Sequence, residues 1–288
     1  MYLVTGAKGQ LGTELSKRLP NAICVGHNEL DITDKEAVAE FVKSYDIDTI
    51  INCAAYTNVD RAEQDYGTAK KINVDGAANL ARACSRFGAK MIYISTDYVF
   101  DGTAHTPYKH NDAPNPIGIY GRTKHMGELV VDRFMGVPSV IIRTSWLYSP
   151  YGNNFVKTIR RLGAEHETIS VVDDQIGTPT YTGDLADAII KIIPQINMKT
   201  RGTYHYSNMG VCSWYDFATE IMEMSGLNCV VKPISTKEYM AGHPNSASRP
   251  YYSVLDKSLI QKTFGIEIDH WKKSLAKCIR EMDAQKTK

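Results

Sequence analysis

No apolar run in this sequence reaches the roughly 18 residues that a membrane-spanning helix needs. The six cysteines stand singly, without the paired spacing of a zinc site or a disulfide framework. The 33 basic and 32 acidic residues leave a net charge of +1, which disfavours nucleic acid and anionic membranes as partners. The printed chain also starts with an apparent strand instead of a secretory segment. We therefore expect a cytoplasmic globular protein with reduced thiols.

Short apolar runs alternate with helix-period segments in the first half of the chain. Strands are predicted at residues 2–5, 22–26, 49–54, 91–95 and 139–144. Leu11, Leu15 and Leu19 recur every four residues and predict a helix between the first two strands, ending before Pro20. This alternation predicts the α/β class: a doubly wound parallel sheet of the Rossmann type, with helices on both faces.

The alternation weakens after Trp146, which predicts a second, smaller α/β lobe. We assign residues 1–145 to a dinucleotide-binding domain, to which residues 177–209 return. Residues 146–176 and 210–288 then form a substrate-binding lobe. Ligands of open α/β sheets bind beyond the carboxyl ends of the strands, so the cleft between sheet and lobe is the expected site.

Three glycines, Gly6, Gly9 and Gly12, follow the first predicted strand and open the first helix. Glycine lets the backbone approach a pyrophosphate closely, and a helix N-terminus adds positive potential. A plain tight turn would also use glycine. The order of strand, glycines and amphipathic helix favours dinucleotide binding.

The cofactor type depends on the next segment. Asp31 and Ile32 lie where they can receive an adenine ring, but Asp31 is equally suited to a helix entry near Thr33, which with Glu36 predicts a capping box. The end of the second strand lacks the acid that grips a ribose 2′-hydroxyl. Lys8 can pair with a 2′-phosphate instead. NADP(H) is therefore preferred, and NAD(H) stays open.

Tyr120 and Lys124 are spaced by four residues, which places both side chains on one helical face. A cation beside a phenol lowers the phenol pKa from about 10, so that the tyrosine can exchange a proton near neutral pH. Thr96 ends the fourth predicted strand, where its hydroxyl can bind a substrate carbonyl. Surface cover and strand capping are the ordinary alternatives. Together the three residues favour carbonyl reduction.

Several motifs together resemble the extended branch of the short-chain dehydrogenase/reductases, and within it the dTDP-4-dehydrorhamnose reductase family, over nearly the whole chain. The motifs are the three glycines, Ala54-Ala-Tyr-Thr57, Ser95-Thr-Asp-Tyr-Val-Phe-Asp-Gly102, Tyr120-Gly-Arg-Thr-Lys124, Arg143-Thr-Ser-Trp146, Gly177-Thr-Pro-Thr180 and Arg249-Pro-Tyr-Tyr-Ser-Val-Leu-Asp256. The resemblance implies reduction of the C4 carbonyl of dTDP-4-dehydro-6-deoxy-L-mannose to dTDP-L-rhamnose with NAD(P)H, as in polysaccharide biosynthesis.

The resemblance also implies residue roles. Thr96 and Tyr120 would bind the sugar carbonyl, Tyr120 would protonate it, and Lys124 would hold the nicotinamide ribose. The expected cofactor groove further comprises Gly6, Lys8, Gly9, Gln10, Leu11, Gly12, Asp31, Ile32, Ala54, Ala55, Tyr56 and Asn73. The nucleotide-sugar would meet Asp97, Tyr98, Trp146 and Arg249, although a large aromatic such as Trp146 can equally fill the seam between lobes.

Two other functions remain open at this stage. Asp97 is followed by Tyr98 instead of the glutamate of related dehydratases, which disfavours dehydration but leaves a nucleotide-sugar epimerase or dehydratase as an alternative. A non-catalytic NADP-binding regulatory subunit, resembling the methionine adenosyltransferase beta subunit, is the other. No divalent metal is predicted, because His105 and His110 lack a carboxylate or cysteine at ligand spacing. The oligomeric state is left open, with a homodimer as one option.

Overall fold

Six parallel strands form the central sheet of the computed structural model, which describes residues 1–286. The strands are β1 Tyr2–Thr5, β2 Ile23–Val25, β3 Thr49–Asn52, β4 Lys90–Thr96, β5 Ser139–Thr144, β6 Leu147–Tyr148, β7 Thr168–Val172, β8 Ile176–Gly177, β9 Thr180–Tyr181, β10 Gly202–Tyr206, β11 Cys212–Ser213 and β12 Val230–Ile234. The α-helices are α1 Gln10–Arg18, α2 Lys35–Ser44, α3 Val59–Ala62, α4 Tyr66–Lys70, α5 Ala77–Phe87, α6 Ile119–Arg133, α7 Phe155–Glu165, α8 Thr182–Ile192, α9 Trp214–Met224, α10 Thr236–Gly242, α11 Ser258–Phe264 and α12 Trp271–Lys286.

The order of the central sheet is β10-β5-β4-β3-β1-β2, and each neighbouring pair is parallel. The predicted Rossmann-type sheet is thus confirmed. The chain leaves β1 for β2 on one side and returns to β3 on the other, so a topological switch point lies between β1 and β3. Ligands of doubly wound sheets bind at such a point.

Each face of the sheet is covered by its own hydrophobic core. Leu3, Ile50 and Met91 pack with α2 and α5 on one face, whereas Val4 and Ile51 pack with α1 and α8 on the other. Successive strand residues point to opposite faces, and both faces are apolar here. This explains why these strands appear as continuous apolar runs in the sequence.

A third core lies outside the sheet, where α7, α9 and α12 pack around Phe217, Ile221 and Leu275. β7 and β12 pair in parallel beside it, while β10 returns to the central sheet against β5, as predicted for the segment around it. The division into two domains stays a prediction, and residues 287–288 of the predicted lobe lie outside the described residues. Within residues 1–286, no helix combines the length and the apolar character needed to cross a membrane.

Two local predictions differ from the structure. The predicted capping box of Thr33 and Glu36 is wrong: Asp34 caps α2 by accepting from the Ala37 backbone N–H, and Thr33 donates to Asp31 instead. The segment between α4 and α5 is a π-helix, Lys71–Gly76, although the apolar residues Ile72, Ala77, Leu80 and Ala81 predict one long helical segment. A π-turn carries one extra residue, and such turns often occur at functional sites.

Candidate functional site

The glycine loop joins β1 to α1 and packs against the end of β3. Gly6 has φ +66°, and a Cβ there would lie 2.6 Å from the Ala54 backbone nitrogen. A Cβ on Gly12 would collide with the Gly6 carbonyl oxygen. Both positions therefore need glycine for the turn itself, while Gly9 precedes the first residue of α1. The resulting bare backbone stands at the N-terminus of α1, an arrangement that suits a pyrophosphate.

A cavity of about 630 Å³ extends along the carboxyl ends of β1, β3, β4 and β5. It is lined by most of the predicted site residues, namely Gly6, Lys8, Gly9, Gln10, Leu11, Gly12, Asp31, Ile32, Ala54, Ala55, Thr96, Asp97, Tyr98, Tyr120, Lys124 and Trp146. Three predicted residues, Tyr56, Asn73 and Arg249, are not part of its lining. The structure therefore brings the glycine loop and the Thr96, Tyr120 and Lys124 group to one cavity.

Asn73, within the π-helix, supports the loop after β3 from behind. Its side-chain oxygen accepts from the Tyr56 backbone N–H at 2.8 Å, and its amide donates to the Tyr56 carbonyl at 3.2 Å and to Thr123 Oγ1 at 3.1 Å. The side chain is 1% exposed. Its contacts fix the loop that bears Ala54 and Ala55 against α6.

The first two turns of α6 carry Tyr120 and Lys124. Gly121 lies between them, and a Cβ there would collide with the Tyr98 carbonyl oxygen, so the helix packs directly on the backbone after β4. Lys124 is buried, its Nζ donates to the Ile94 carbonyl at 2.7 Å, and the same atom lies 4.2 Å from the centre of the Tyr93 ring. These contacts hold the amine beside the end of β4, where Thr96 stands.

Burial dominates the protonation of the two α6 side chains. It raises the pKa of the Tyr120 phenol above its ordinary value, and only the interaction with the Thr96 side chain opposes that rise. It also lowers the pKa of Lys124 to about 7. The prediction that the Lys124 cation lowers the Tyr120 pKa is therefore wrong for this structure: burial raises that pKa, and Lys124 is not among the groups that shift it. Tyr120 keeps its proton near neutral pH, as a proton donor must.

Asp97 lies behind Thr96. Its Oδ1 accepts from the Thr96 hydroxyl at 2.9 Å, its side chain is 2% exposed, and burial raises its pKa to about 6. Tyr98 packs edge-on against the Tyr120 ring with centroids 5.4 Å apart. Arg249 pairs with Asp60 at 3.3 Å. Arg249 also hydrogen-bonds the side chain of Tyr98, which lines the cavity.

Lys8 in the glycine loop has an acidic neighbour that was not predicted from the sequence. Its Nζ lies 2.8 Å from Glu29 Oε1, and Glu29 Oε2 accepts from the Gly26 backbone N–H at 2.9 Å. The Lys8 hydrogen bond lowers the Glu29 pKa. Asp31 accepts from the backbone and hydroxyl of Thr33, which supports its helix-entry role, although it also lines the cavity.

A buried ion pair behind the site was also missed. Glu128 accepts from Arg143 through two hydrogen bonds of 2.8 and 2.7 Å, from Ser95 Oγ at 2.5 Å, and contacts His125 Nδ1 at 3.2 Å. Glu128 follows Lys124 by four residues, so helical spacing was an available signal. The pair ties α6 to β4 and β5 one helical turn beyond Lys124.

No group of three or more potential metal-binding side chains was found among residues 1–286. Asp174 accepts from the Thr236 backbone and hydroxyl at the start of α10. Arg143 contacts the carbonyl of His110, one of the two histidines considered earlier, at 3.4 Å.

The fold and the cavity define the class of the protein: a Rossmann-type α/β protein with a glycine-loop nucleotide site and an adjoining threonine, tyrosine and lysine group. Comparison with known proteins narrows the class. The family model described as the RmlD substrate binding domain matches residues 1–284. The chain therefore belongs to the RmlD family.

Relatives of this family match over the full length. The spore coat polysaccharide biosynthesis protein SpsK of Bacillus subtilis is 42% identical, over 97% of this chain and 96% of the relative. The crystal structure of a dTDP-4-dehydrorhamnose reductase from Clostridium acetobutylicum is 44% identical with a TM-score of 0.92, covering 98% and 99% of the two chains. A dTDP-4-dehydrorhamnose reductase from Bacillus anthracis, solved in complex with NADP, is 43% identical with a TM-score of 0.92, covering 97% and 98%.

Proposed function

We propose that this chain is an NAD(P)H-dependent dTDP-4-dehydrorhamnose reductase, which reduces the C4 carbonyl of dTDP-4-dehydro-6-deoxy-L-mannose to give dTDP-L-rhamnose. The observation that carries the proposal is the placement of Thr96, Tyr120 and Lys124 on one cavity with the glycine loop. The names of the full-length relatives give the substrate class and the cofactor.

The residues of the loop fit a dinucleotide. A Cβ on Gly6 or Gly12 would meet backbone, so the strand-to-helix turn stays bare and leaves the α1 N-terminus open to a pyrophosphate. Lys8 lines the cavity, and a 2′-phosphate would compete with Glu29 for its amine, which supports NADP(H) as the preferred cofactor, with NAD(H) as a second cofactor of the same groove. Gly9, Gln10, Leu11, Asp31, Ile32, Ala54 and Ala55 complete the proposed cofactor set, with Tyr56 and Asn73 acting from behind.

The proposed mechanism divides the work among three side chains. Bound NAD(P)H supplies the hydride that C4 of the sugar receives. Thr96 orients the carbonyl oxygen by a hydrogen bond, and Tyr120, whose raised pKa keeps it protonated, gives that oxygen its proton. Lys124, anchored on the Ile94 carbonyl, hydrogen-bonds the ribose and holds the nicotinamide side of the cavity.

The nucleotide-sugar is proposed to meet Tyr98 and Trp146 in the cavity and Arg249 at its border. Arginine suits a diphosphate because it offers paired donors. Arg249 already pairs with Asp60, so a diphosphate would share the Arg249 guanidinium with that carboxylate or displace the carboxylate from it. Asp97 acts in this proposal by fixing the Thr96 hydroxyl and bordering the sugar pocket.

The alternatives are less well supported. A dehydratase or epimerase is not favoured by the full-length relatives, and Tyr98 follows Asp97 where a second acid would be needed. A regulatory subunit would have no use for the proton donor and amine that share the cavity. Net NADPH consumption in the presence of the keto-sugar separates the reductase from all three.

The decisive experiment is Tyr120→Phe. We expect turnover, followed by NADPH absorbance, to fall by about 10²- to 10⁴-fold, because the phenol is the only proton donor assigned to the sugar oxygen. NADPH affinity, measured by fluorescence titration, should stay nearly unchanged. Tyr45→Phe, at a tyrosine 51% exposed, is the matched control and should keep full activity. Unchanged turnover in Tyr120→Phe would remove the assigned acid.

The proposal also covers organisation and location. We assign residues 1–145 and 177–209 to the cofactor domain and residues 146–176 and 210–288 to the substrate lobe, supported by the pairing of β10 with β5. A cytoplasmic location follows from the class of reaction, because NAD(P)H is a cytoplasmic reductant. A homodimer is the assembly we propose to test by sedimentation.

A further inference from the structure

Trp146 has an unusual backbone conformation for a bulky residue. Its φ is +49°, in the left-handed region that non-glycine side chains rarely adopt. Its carbonyl accepts from the Thr180 backbone N–H at 3.1 Å, and Leu147, the next residue, pairs with Thr180 in the β6–β9 ladder. Strained backbone persists only where the surroundings fix it, and it concentrates at ligand sites. The backbone conformation of Trp146 must therefore be held by its neighbours, and it suggests a role in ligand binding.

Two residues from a distant part of the chain hold the Trp146 indole. The Trp214 ring stacks on it with centroids 3.5 Å apart and planes 9° from parallel. Gly177 approaches it so closely that a Cβ would lie 2.6 Å from the Trp146 ring atoms Cε2 and Cζ2. Trp146 lines the cavity, whereas Trp214 does not. Trp214 and Gly177 thus form what we call the indole clamp.

The indole clamp is itself anchored. Cys212 pairs with Gly177 in the antiparallel β8–β11 ladder. This pairing fixes the position of Gly177 relative to Trp214, which lies two residues after Cys212. Ser213 and Asp216 form a capping box that sets the start of α9, of which Trp214 is the first residue. Phe155 also packs against Trp214, with ring centroids 4.5 Å apart. Trp214 is therefore a fixed support for Trp146.

We propose that Trp214 is a positioning residue for nucleotide-sugar binding: it acts with Gly177 to hold the strained Trp146 indole at the cavity wall, where the indole packs on the hexose ring of the substrate. This inference deepens the proposed function and rests on it. An aromatic face suits the apolar C–H surface of a 6-deoxyhexose, and a ring held in place loses little entropy on binding.

The test is a double-mutant cycle on steady-state kinetics with the keto-sugar. Trp214→Ala should raise KM for the nucleotide-sugar up to about tenfold, the factor that corresponds to the worth of one aromatic pair, with kcat and NADPH affinity changing less. Trp214→Ala added to Trp146→Ala should cause no further change beyond about twofold, because the two act as one unit. Trp214→Phe should restore most of the affinity.

A second variant tests the Gly177 part of the indole clamp. Gly177→Ala introduces a Cβ against the Trp146 ring and should raise the same KM while leaving Trp214 intact. Trp271→Phe is the control, since this third tryptophan of the chain lies in the lobe core and does not line the cavity. It should lower the melting temperature without raising KM relative to kcat.

The outcomes separate the two proposals. If the unaltered chain reduces the keto-sugar and Trp214→Ala changes kcat/KM equally in both Trp146 backgrounds, the clamp is refuted and the reductase stands. An unchanged KM in both Trp214→Ala and Gly177→Ala refutes the clamp as well. If the unaltered chain reduces no keto-sugar, the proposed function falls and takes the clamp with it.

Discussion

Replacing Glu128 by glutamine tests the buried ion pair beneath the site. The carboxylate is about 5% exposed. It accepts hydrogen bonds from Nε and Nη2 of Arg143 and also contacts Ser95 and His125. Glutamine has nearly the same shape but no charge, and its amide end cannot accept from Arg143. The variant therefore leaves the Arg143 guanidinium, 4% exposed, buried without its counter-charge.

The magnitude follows from two independent arguments. Removing one partner of a buried pair costs about 3–5 kcal/mol in the free energy of unfolding. The neighbouring Arg143 and His125 overcome burial and lower the Glu128 pKa from 4.5 to about 2, a difference that corresponds to about 3 kcal/mol. At this chain length the loss amounts to a melting temperature lower by about 6–10 °C.

The sign of the pH dependence is also fixed. Because the Glu128 pKa is lower in the folded than in the unfolded state, its contribution is fully present above about pH 4.5 and is lost as the pH falls towards about 2. We expect the stability difference between the unaltered protein and Glu128→Gln to persist from pH 5 to pH 7. The difference should narrow when unfolding is measured at pH 4 and below.

Urea unfolding followed by circular dichroism gives the free energies, and Glu165→Gln is the matched control. Glu165 also pairs with an arginine, Arg161, but the two side chains are 49% and 59% exposed. Exposed pairs contribute about 0–1 kcal/mol, so this control should unfold almost as the unaltered protein does. A loss below about 1 kcal/mol in Glu128→Gln, or equal losses in both variants, would refute the reasoning.

Two further changes test the cofactor groove. Gly12→Ala should weaken NADPH binding by about tenfold or more, because the new Cβ displaces the Gly6 carbonyl that shapes the loop; Gly67→Ala, where no atom lies within 4 Å, should bind normally in the same fluorescence titration. Lys8→Ala should lower the ratio of kcat/KM with NADPH to kcat/KM with NADH by about tenfold, since a charged hydrogen bond to the 2′-phosphate is lost. An equal loss with both cofactors would contradict the role given to Lys8.

Much of the fold was predictable because the apolar pattern of each segment agreed with the strand or helix that the folded chain needs there. The five strands of the first half follow from apolar runs, and α1 follows from the four-residue spacing of its leucines. The predicted N-cap of α2 was wrong because Thr33 and Asp34 are both good capping residues. In the structure the Thr33 hydroxyl donates to Asp31, and Asp34 is the cap. The π-helix was missed because one extra residue hardly changes an apolar pattern.

The site was predictable where its residues lie close in sequence or at strand ends. Thr96 at a strand end and Tyr120 and Lys124 at helical spacing line one cavity, while their catalytic roles stay a prediction. Glu29 was missed because only the folded β2 turn brings its carboxylate to Lys8. Trp214 escaped notice because its contact with Trp146 depends on the packing of α9, which no local pattern encodes.

The side-chain amide of Asn73 bears on any attempt to re-engineer the enzyme. It bonds at once to the stretch after β3 and to Thr123, one residue before Lys124. A nucleotide-binding half taken from another protein would therefore be positioned differently on α6 unless it supplied equivalent hydrogen bonds to Thr123. Chimeras that retain Asn73, Tyr56 and Thr123 together should keep the loop after β3 and α6 in their present relative position.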